Sequence, residues 1–446
     1  MRGTAGPADS SAAPGILVRG GWVIDPSRTD GMADVRIEGG RIKEVGPGLR
    51  PQPEERVVDV SGLLVTPGLV DIHVHFREPG GEASETVATG ARAAAAGGFT
   101  TVCAMPNTNP VIDTPERVRL VLERGRTAGA ARVLPVAAAT VGSRGERPTD
   151  VRALARAGAV AVSDDGLPIA TVELLTAALG AAREVGIPVA EHCEDRRLSC
   201  GGAVHPEAAR RLGVPGIPPE AESEAVARDL EVLNRVGGRL HVCHVSTAGA
   251  VDRLREARRA GLNVTAEASP HHLTLTWAEV ASQGARAKMN PPLGSEADRE
   301  AVQAGLLDGT LDCVATDHAP HTDEEKARGL LAAPFGVTGL ETAFGALYTD
   351  LVLPGRVPLA LLVERMTAGP AWAFGLEAGS LVARASADLA VFDLAAEWQV
   401  DPAGFRSRSR NSPWVGRRLR GRPVLTIVRG RIVHDLLSRH GGTLEG

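Results

Sequence analysis

The sequence predicts an α/β protein: a (β/α)8 barrel of the TIM type, with a small β-sandwich domain built from the N- and C-terminal segments. Three observations carry this expectation. Short strand-like pieces punctuated by Gly and Pro occupy both ends of the chain. Between them, apolar runs alternate with amphipathic helical stretches, the pattern of a parallel sheet wrapped in helices. Polar clusters rich in His and Asp follow the apolar runs directly, as at the C-terminal mouth of a barrel.

The N-terminal strand pieces are residues 16–18, 22–25, 34–37, 41–45 and 57–60, and the same texture returns at 387–393 and 424–433. The expected division is a disordered tail over residues 1–14, a composite β domain from 15–64 and 380–436, and a barrel over 65–379. Barrel strands are expected at 64–76, 100–105, 133–139, 159–163, 188–192, 240–245, 264–268 and 313–316, with helices between most of them, among them 171–185 and 222–235. A doubly wound sheet is disfavoured because no Gly-rich phosphate turn follows the first strand.

Composition narrows the class. The 446 residues are 43% hydrophobic and 23% charged, which affords a large core. A net charge of -5 gives no reason to expect nucleic acid or an anionic membrane as partner. No apolar stretch is long enough to span a bilayer, and the N-terminus lacks a signal-type apolar region. The five cysteines contain no C-x-x-C pair and fit buried positions in a reducing cytoplasm. The only lysines are Lys43, Lys288 and Lys326.

The most informative local pattern is His73-Val74-His75-Phe76-Arg77. Residues i and i+2 of a strand share a face, so both imidazoles can grip one divalent ion, and Arg77, in the same phase, suits an anionic substrate. An isolated H-x-H is weak evidence for a metal. Here the remaining strand ends supply companions: Ser163-Asp164-Asp165-Gly166, Glu191-His192-Cys193-Glu194, His244-Val245-Ser246-Thr247 and Thr316-Asp317-His318-Ala319-Pro320-His321. Helix capping accounts for Ser163 with Asp164 and for Ser246 or Thr247, but not for histidines at three strand ends with an aspartate at a fourth. Imidazole and carboxylate donors without a thiolate cage fit zinc, manganese or cobalt. The number of donors fits two ions sharing a carboxylate and a hydroxide.

With these motifs in place, the chain resembles the amidohydrolase superfamily. Within it, His73-Val74-His75-Phe76-Arg77-Glu78-Pro79-Gly80, Met105-Pro106-Asn107-Thr108, Ser163-Asp164-Asp165-Gly166, Asn290-Pro291-Pro292-Leu293, Thr316 to His321, Pro334-Phe335-Gly336 and Asn411 to Gly416 resemble the bacterial class I dihydroorotases. The resemblance runs from Gly15 to about Val433 and implies cytoplasmic, reversible conversion of N-carbamoyl-L-aspartate to L-dihydroorotate in pyrimidine biosynthesis. It implies two zinc ions, one on His73, His75 and Asp317 and one on His192 and His244. Many relatives bridge the ions with a carboxylated lysine on strand four. None of the three lysines lies there, so the resemblance hands the bridge to Asp165, preferred over its neighbour Asp164. It further implies that a bridging hydroxide attacks the ring carbonyl in the hydrolytic direction, with Asp317 as general acid and base. Substrate contacts would come from His75, Arg77, Asn107, Asn290, His321, Phe335 and Gly336. A homodimer, or a complex with aspartate carbamoyltransferase, is expected. His241 reads as structural, His271 and His272 as donors behind the ligands, and His318 as either such a donor or a packed loop histidine. A hydantoinase or allantoinase, and a non-catalytic scaffold for aspartate carbamoyltransferase, are the alternatives. The first two generally need the missing lysine, and the scaffold reading conflicts with the filled ligand positions.

Overall fold

Strands buried on both faces are near-continuous apolar runs, and such strands form parallel sheets that need helices over them. The computed structural model, which describes residues 15–438, shows that outcome. The expected tail over residues 1–14 lies outside the described residues. Eight parallel strands run in chain order around the barrel: β1 Leu69–Val74, β2 Phe99–Ala104, β3 Arg132–Ala138, β4 Ala161–Ser163, β5 Val189–Glu191, β6 Leu240–Val242, β7 Val264–Ala268 and β8 Cys313–Val314. Beyond the end of β8, a parallel bridge pairs Val74 with His318, and the His75 N–H donates to the His318 carbonyl at 2.8 Å. Those contacts bring β8 back against β1.

The helices begin where the sequence places caps. The Thr171 side chain caps Val172–Val185, and Gly186 ends it in the left-handed conformation. Thr86 forms a capping box with Thr89 at Val87–Ala96, and Ser295 forms one with Asp298 at Glu296–Asp308. The helix expected over 222–235 runs Glu220–Val236. Val102, Val162, Val189, Val242 and Val314 pack outward against these helices, while Val70, Ile72, Met105, Val136, Ala161, Ala190 and Cys313 fill the barrel beneath its mouth. Cys103, Cys193, Cys243 and Cys313 are buried as expected, but Cys200 is exposed.

The second sheet combines both chain ends. Strands Ile16–Asp25, Thr29–Glu38, Arg41–Gly46, Arg56–Asp59 and Leu64–Pro67 join Leu389–Gln399, Arg418–Val428 and Arg431–Asp435. It folds over a core of Val18, Val35, Ile42, Val65, Leu389, Val391 and Ile427. The Arg41–Ser386 bridge brings one edge back to the segment that enters the C-terminal strands.

Two strand expectations change. The run 64–76 is two strands, Leu64–Pro67 in the terminal sheet and β1 in the barrel, with Gly68 between them because a Cβ there would lie 2.1 Å from Thr100. Several barrel strands are shorter than their apolar runs. β6 stops at Val242 and β8 at Val314, because His244 (φ 34°) and Asp317 (φ 47°) adopt left-handed backbone that no ladder accommodates.

Candidate metal centre

The strand ends converge on Asp165, just beyond β4. Its two carboxylate oxygens face different pairs of histidines. Oδ2 is 3.4 Å from His73 Nε2 and 3.4 Å from His75 Nε2. Oδ1 is 3.3 Å from His244 Nε2 and 3.6 Å from His192 Nδ1. Asp317 joins the first pair, its Oδ1 2.9 Å from His75 Nε2 and 3.6 Å from His73 Nε2. All six side chains are buried. His73, His75 and Asp317 form one compact donor group, and His73, Asp165 and His244 another.

Asp164 is absent from this gathering. Strand alternation turns it the other way, where its carboxylate accepts the Thr140 N–H at 2.9 Å and the Thr140 hydroxyl. It ties the end of β3 to the end of β4.

Hydrogen bonds behind the donors set which nitrogens face the centre. His75 Nδ1 lies 2.9 Å from Asn107 Oδ1, so Nδ1 donates and the Nε2 lone pair faces inward. His73 Nδ1 donates to Glu267 Oε1 at 2.6 Å, and His73 Nε2 is buried without a hydrogen-bond partner among the described residues. A buried nitrogen in that condition is costly unless a cation takes its lone pair. Convergent N and O donors, and an inward-facing lone pair with no other use, fit a divalent metal.

The neighbouring carboxylates set which protons a cation must displace from these imidazoles. Burial works against charge on His73, but Asp165 and Glu267 raise its pKa well above the usual value. Burial likewise opposes the Asp165 carboxylate, yet His73, His192 and His244 hold it well below the usual range. His192 is raised to about 10, burial being overcome by hydrogen bonds and charge from Asp165 and Glu194. His244 is lowered, chiefly by burial.

Glu267 is the residue that sequence reasoning missed. Within the wholly buried β7, it also accepts from His241 Nε2 at 3.0 Å and from the His244 backbone N–H at 3.2 Å. Its signal was present: a carboxylate inside an apolar strand must be paired to be buried. His241, read as structural, binds Glu267 and Thr265. His318 donates toward Glu85 at 3.3 Å, accepts the Gly339 N–H at 3.2 Å and packs edge-on to Phe76, which makes it a packed loop histidine. His272 donates to the Pro291 carbonyl, whereas neither ring nitrogen of His271 finds a partner among the described residues.

The residues expected to contact substrate surround the same mouth. Arg77 is mostly buried; its Nε donates to the Pro320 carbonyl at 3.2 Å, and it makes no ion pair among the described residues. Burial lowers its pKa to about 10, which still leaves it charged at neutral pH. Asn290 Nδ2 stands 3.2 Å from His192 Nε2 and 3.1 Å from Glu194 Oε2. The Phe335–Gly336 backbone is already engaged: the Phe335 carbonyl accepts from His321 Nε2 at 2.7 Å, and the Gly336 N–H donates to Lys288. In this arrangement it positions His321 beside Arg77.

Comparison with known proteins places this geometry. Residues 62–250 match a family model described as dihydro-orotase-like. The chain is 52% identical over 424 residues to a dihydroorotase of Anaeromyxobacter sp. (strain K), covering 94% of this chain and 98% of that one. It is 47% identical over 426 residues to a dihydroorotase of Geobacillus kaustophilus, with 94% and 99% covered. Among solved structures, the L-hydantoinase of Arthrobacter aurescens superposes with a TM-score of 0.84 at 27% identity, covering 94% of this chain and 96% of that one.

Proposed function

The chain belongs to the dihydroorotase family, and on that premise we propose that it catalyses the reversible, metal-dependent ring closure of N-carbamoyl-L-aspartate to L-dihydroorotate with loss of water. The observation that carries this reading is Arg77, a mostly buried guanidinium two residues beyond His75 without an ion pair among the described residues. Such a charge asks for an anion, and the substrate carboxylate supplies one in bidentate form. His321 lies 3.2 Å from Arg77 and Asn107 stands against His75; with Asn290, Phe335 and Gly336 they form the rest of the ring-binding wall.

In this reading His73, His75 and Asp317 would hold one zinc ion and His192 and His244 a second, with Asp165 available to both. Metal bound there would supply Lewis-acid polarisation of the amide carbonyl and a water acidic enough to ionise near neutral pH. Asp317 accepts a proton in the hydrolytic direction and delivers it to the departing ring nitrogen; ring closure reverses both transfers. The adjacent imidazoles of His75, 2.9 Å away, and His73 keep Asp317 ionised against its burial, as a base requires. Glu194 orients His192 by accepting from its outer nitrogen, and Asn290 Nδ2 in turn donates to Glu194.

No helix among the described residues is long and apolar enough to cross a membrane, and we place the enzyme in the cytoplasm. A homodimer, alone or bound to aspartate carbamoyltransferase, completes the proposal and is checked by sedimentation of the pure chain and of the mixture.

The test is turnover measured in both directions with metal content determined on the same sample. Dihydroorotate should be hydrolysed and carbamoyl aspartate cyclised, and Arg77→Gln should raise KM by roughly 10- to 100-fold, the worth of a charge-assisted hydrogen bond. Faster turnover of hydantoin or allantoin, or an unchanged KM in Arg77→Gln, would overturn the assignment.

A further inference from the structure

At the opposite end of the barrel, where β3 begins, a cleft of about 700 Å³ opens between the barrel and the terminal sheet. Four arginines line it: Arg41, Arg132, Arg384 and Arg429. None of the four makes an ion pair among the described residues. Two carboxylates share the cleft, Glu377 and Asp388, and Asp388 is buried, accepting the Arg429 backbone N–H at 2.7 Å. The local balance is therefore positive on a chain whose net charge is -5.

Arg132 supplies the second observation. One of its guanidinium nitrogens, Nη2, donates to the Glu377 carbonyl at 3.1 Å, but its Nε is shut away from solvent without a hydrogen-bond partner. Its Nη1, by contrast, makes no hydrogen bond among the described residues and stays open to solvent, a donor left for an incoming acceptor. The backbone points the same way. Arg429 and Gly430 form the two-residue turn between Arg418–Val428 and Arg431–Asp435, both with positive φ (50° and 73°). Asn-Gly is the favoured pair in such a turn, and arginine has no conformational reason to be there. Arg384 also has a positive φ, 73°. The turn at Gly40 packs against Arg429, where a Cβ would lie 2.9 Å from the Arg429 carbonyl, which holds the two arginine-bearing loops together. Leu376 gives the cleft an apolar wall.

We propose that this cleft binds a phosphorylated small molecule, a phosphate monoester with an apolar body, at a site separate from the metal centre. Planar guanidinium forks match phosphate oxygens bidentately, and the volume suits a metabolite-sized ligand. The proposal is independent of which cyclic amide the metal centre processes.

Phenyl phosphate, a weak chelator with the required two parts, is the probe, titrated calorimetrically into the metal-loaded full chain at fixed ionic strength. The variant is Arg384→Asn/Arg429→Asn, which removes two guanidiniums yet places a residue suited to left-handed backbone at each position. Saturable one-to-one binding is expected in the parent, with affinity at least about tenfold lower in the variant. Thermal stability of the variant without ligand should equal or exceed that of the parent, which separates loss of binding from loss of fold. Absence of saturable binding in the parent, or equal affinity in the two proteins, would overturn the proposal.

Discussion

Glu267 shows how one side chain can organise a centre it does not enter. Its carboxylate holds the outer nitrogen of His73, the ring of His241 and the backbone of His244. Glu267→Gln keeps the shape but removes the charge, and metal affinity should fall by about 10- to 100-fold, read by chelator competition. On the mechanism proposed above, Asp317→Asn keeps the volume and loses the proton acceptor; kcat should fall by about 10²- to 10⁴-fold with little change in KM. Proton linkage gives a third expectation. Because Asp165 and Glu194 hold a proton on His192 up to about 10, a cation must displace that proton to bind at neutral pH. Zinc binding should therefore release protons, seen as a buffer-dependent enthalpy, and affinity should fall as pH is lowered. Of these residues, Asp317 and the histidines were legible because each ends an apolar run. That Glu267 must be paired was readable from its place in an apolar run, but its partners were not, because they lie on other strands and the His73 contact spans 194 positions of the chain.

At the scale of elements, the barrel strands and the helices that cover them keep the donors in register. Helix Val87–Ala96 reaches β1 through Gly90, where a Cβ would lie 2.2 Å from the Phe76 ring. Phe76 stands between His75 and Arg77 in sequence, so Gly90→Ala should lower stability by about 1–3 kcal/mol and raise KM, read by denaturant melts and kinetics on one preparation. Helix positions were legible in detail because caps and stops are local: Thr171 and Gly186 bound their helix within a residue of the expected range. Strand ends were less so. Hydrophobicity continues through Cys243, Val245 and Ala315, yet the ladder has already been left to aim His244 and Asp317.

For the molecule as a whole, the C-terminal segment reaches the mouth of the barrel. Asn411 donates through Nδ2 to the Ala319 and Gly336 carbonyls, at 3.3 and 3.1 Å, and its Oδ1 accepts the His321 N–H at 3.1 Å. Nearby, the Arg408 N–H donates to Glu85, which also accepts from Ser407 and His318. The segment that helps complete the terminal sheet thereby also pins the loop carrying His321. Asn411→Ala leaves several buried partners unsatisfied and should cost about 1–3 kcal/mol in stability. Substrate KM should rise with little change in metal affinity, so a melt, a kinetic series and a metal titration together check it.

The sequence by itself determined the barrel, the contribution of both chain ends to one sheet, and the strand ends that carry histidine and aspartate. Each of these is written in local periodicity, in caps, or in a polar cluster set against an apolar run. Only the tertiary structure decided that Asp165 rather than Asp164 turns its two oxygens to the two histidine pairs, that Glu267 stands behind His73, that His318 returns β8 to β1, and that four arginines share a cleft below the barrel. These depend on which way a side chain leaves a strand end and on barrel closure, which bring distant residues within hydrogen-bonding distance. The His73-x-His75 pair is one third of a six-residue set whose other members join it only once the barrel has closed.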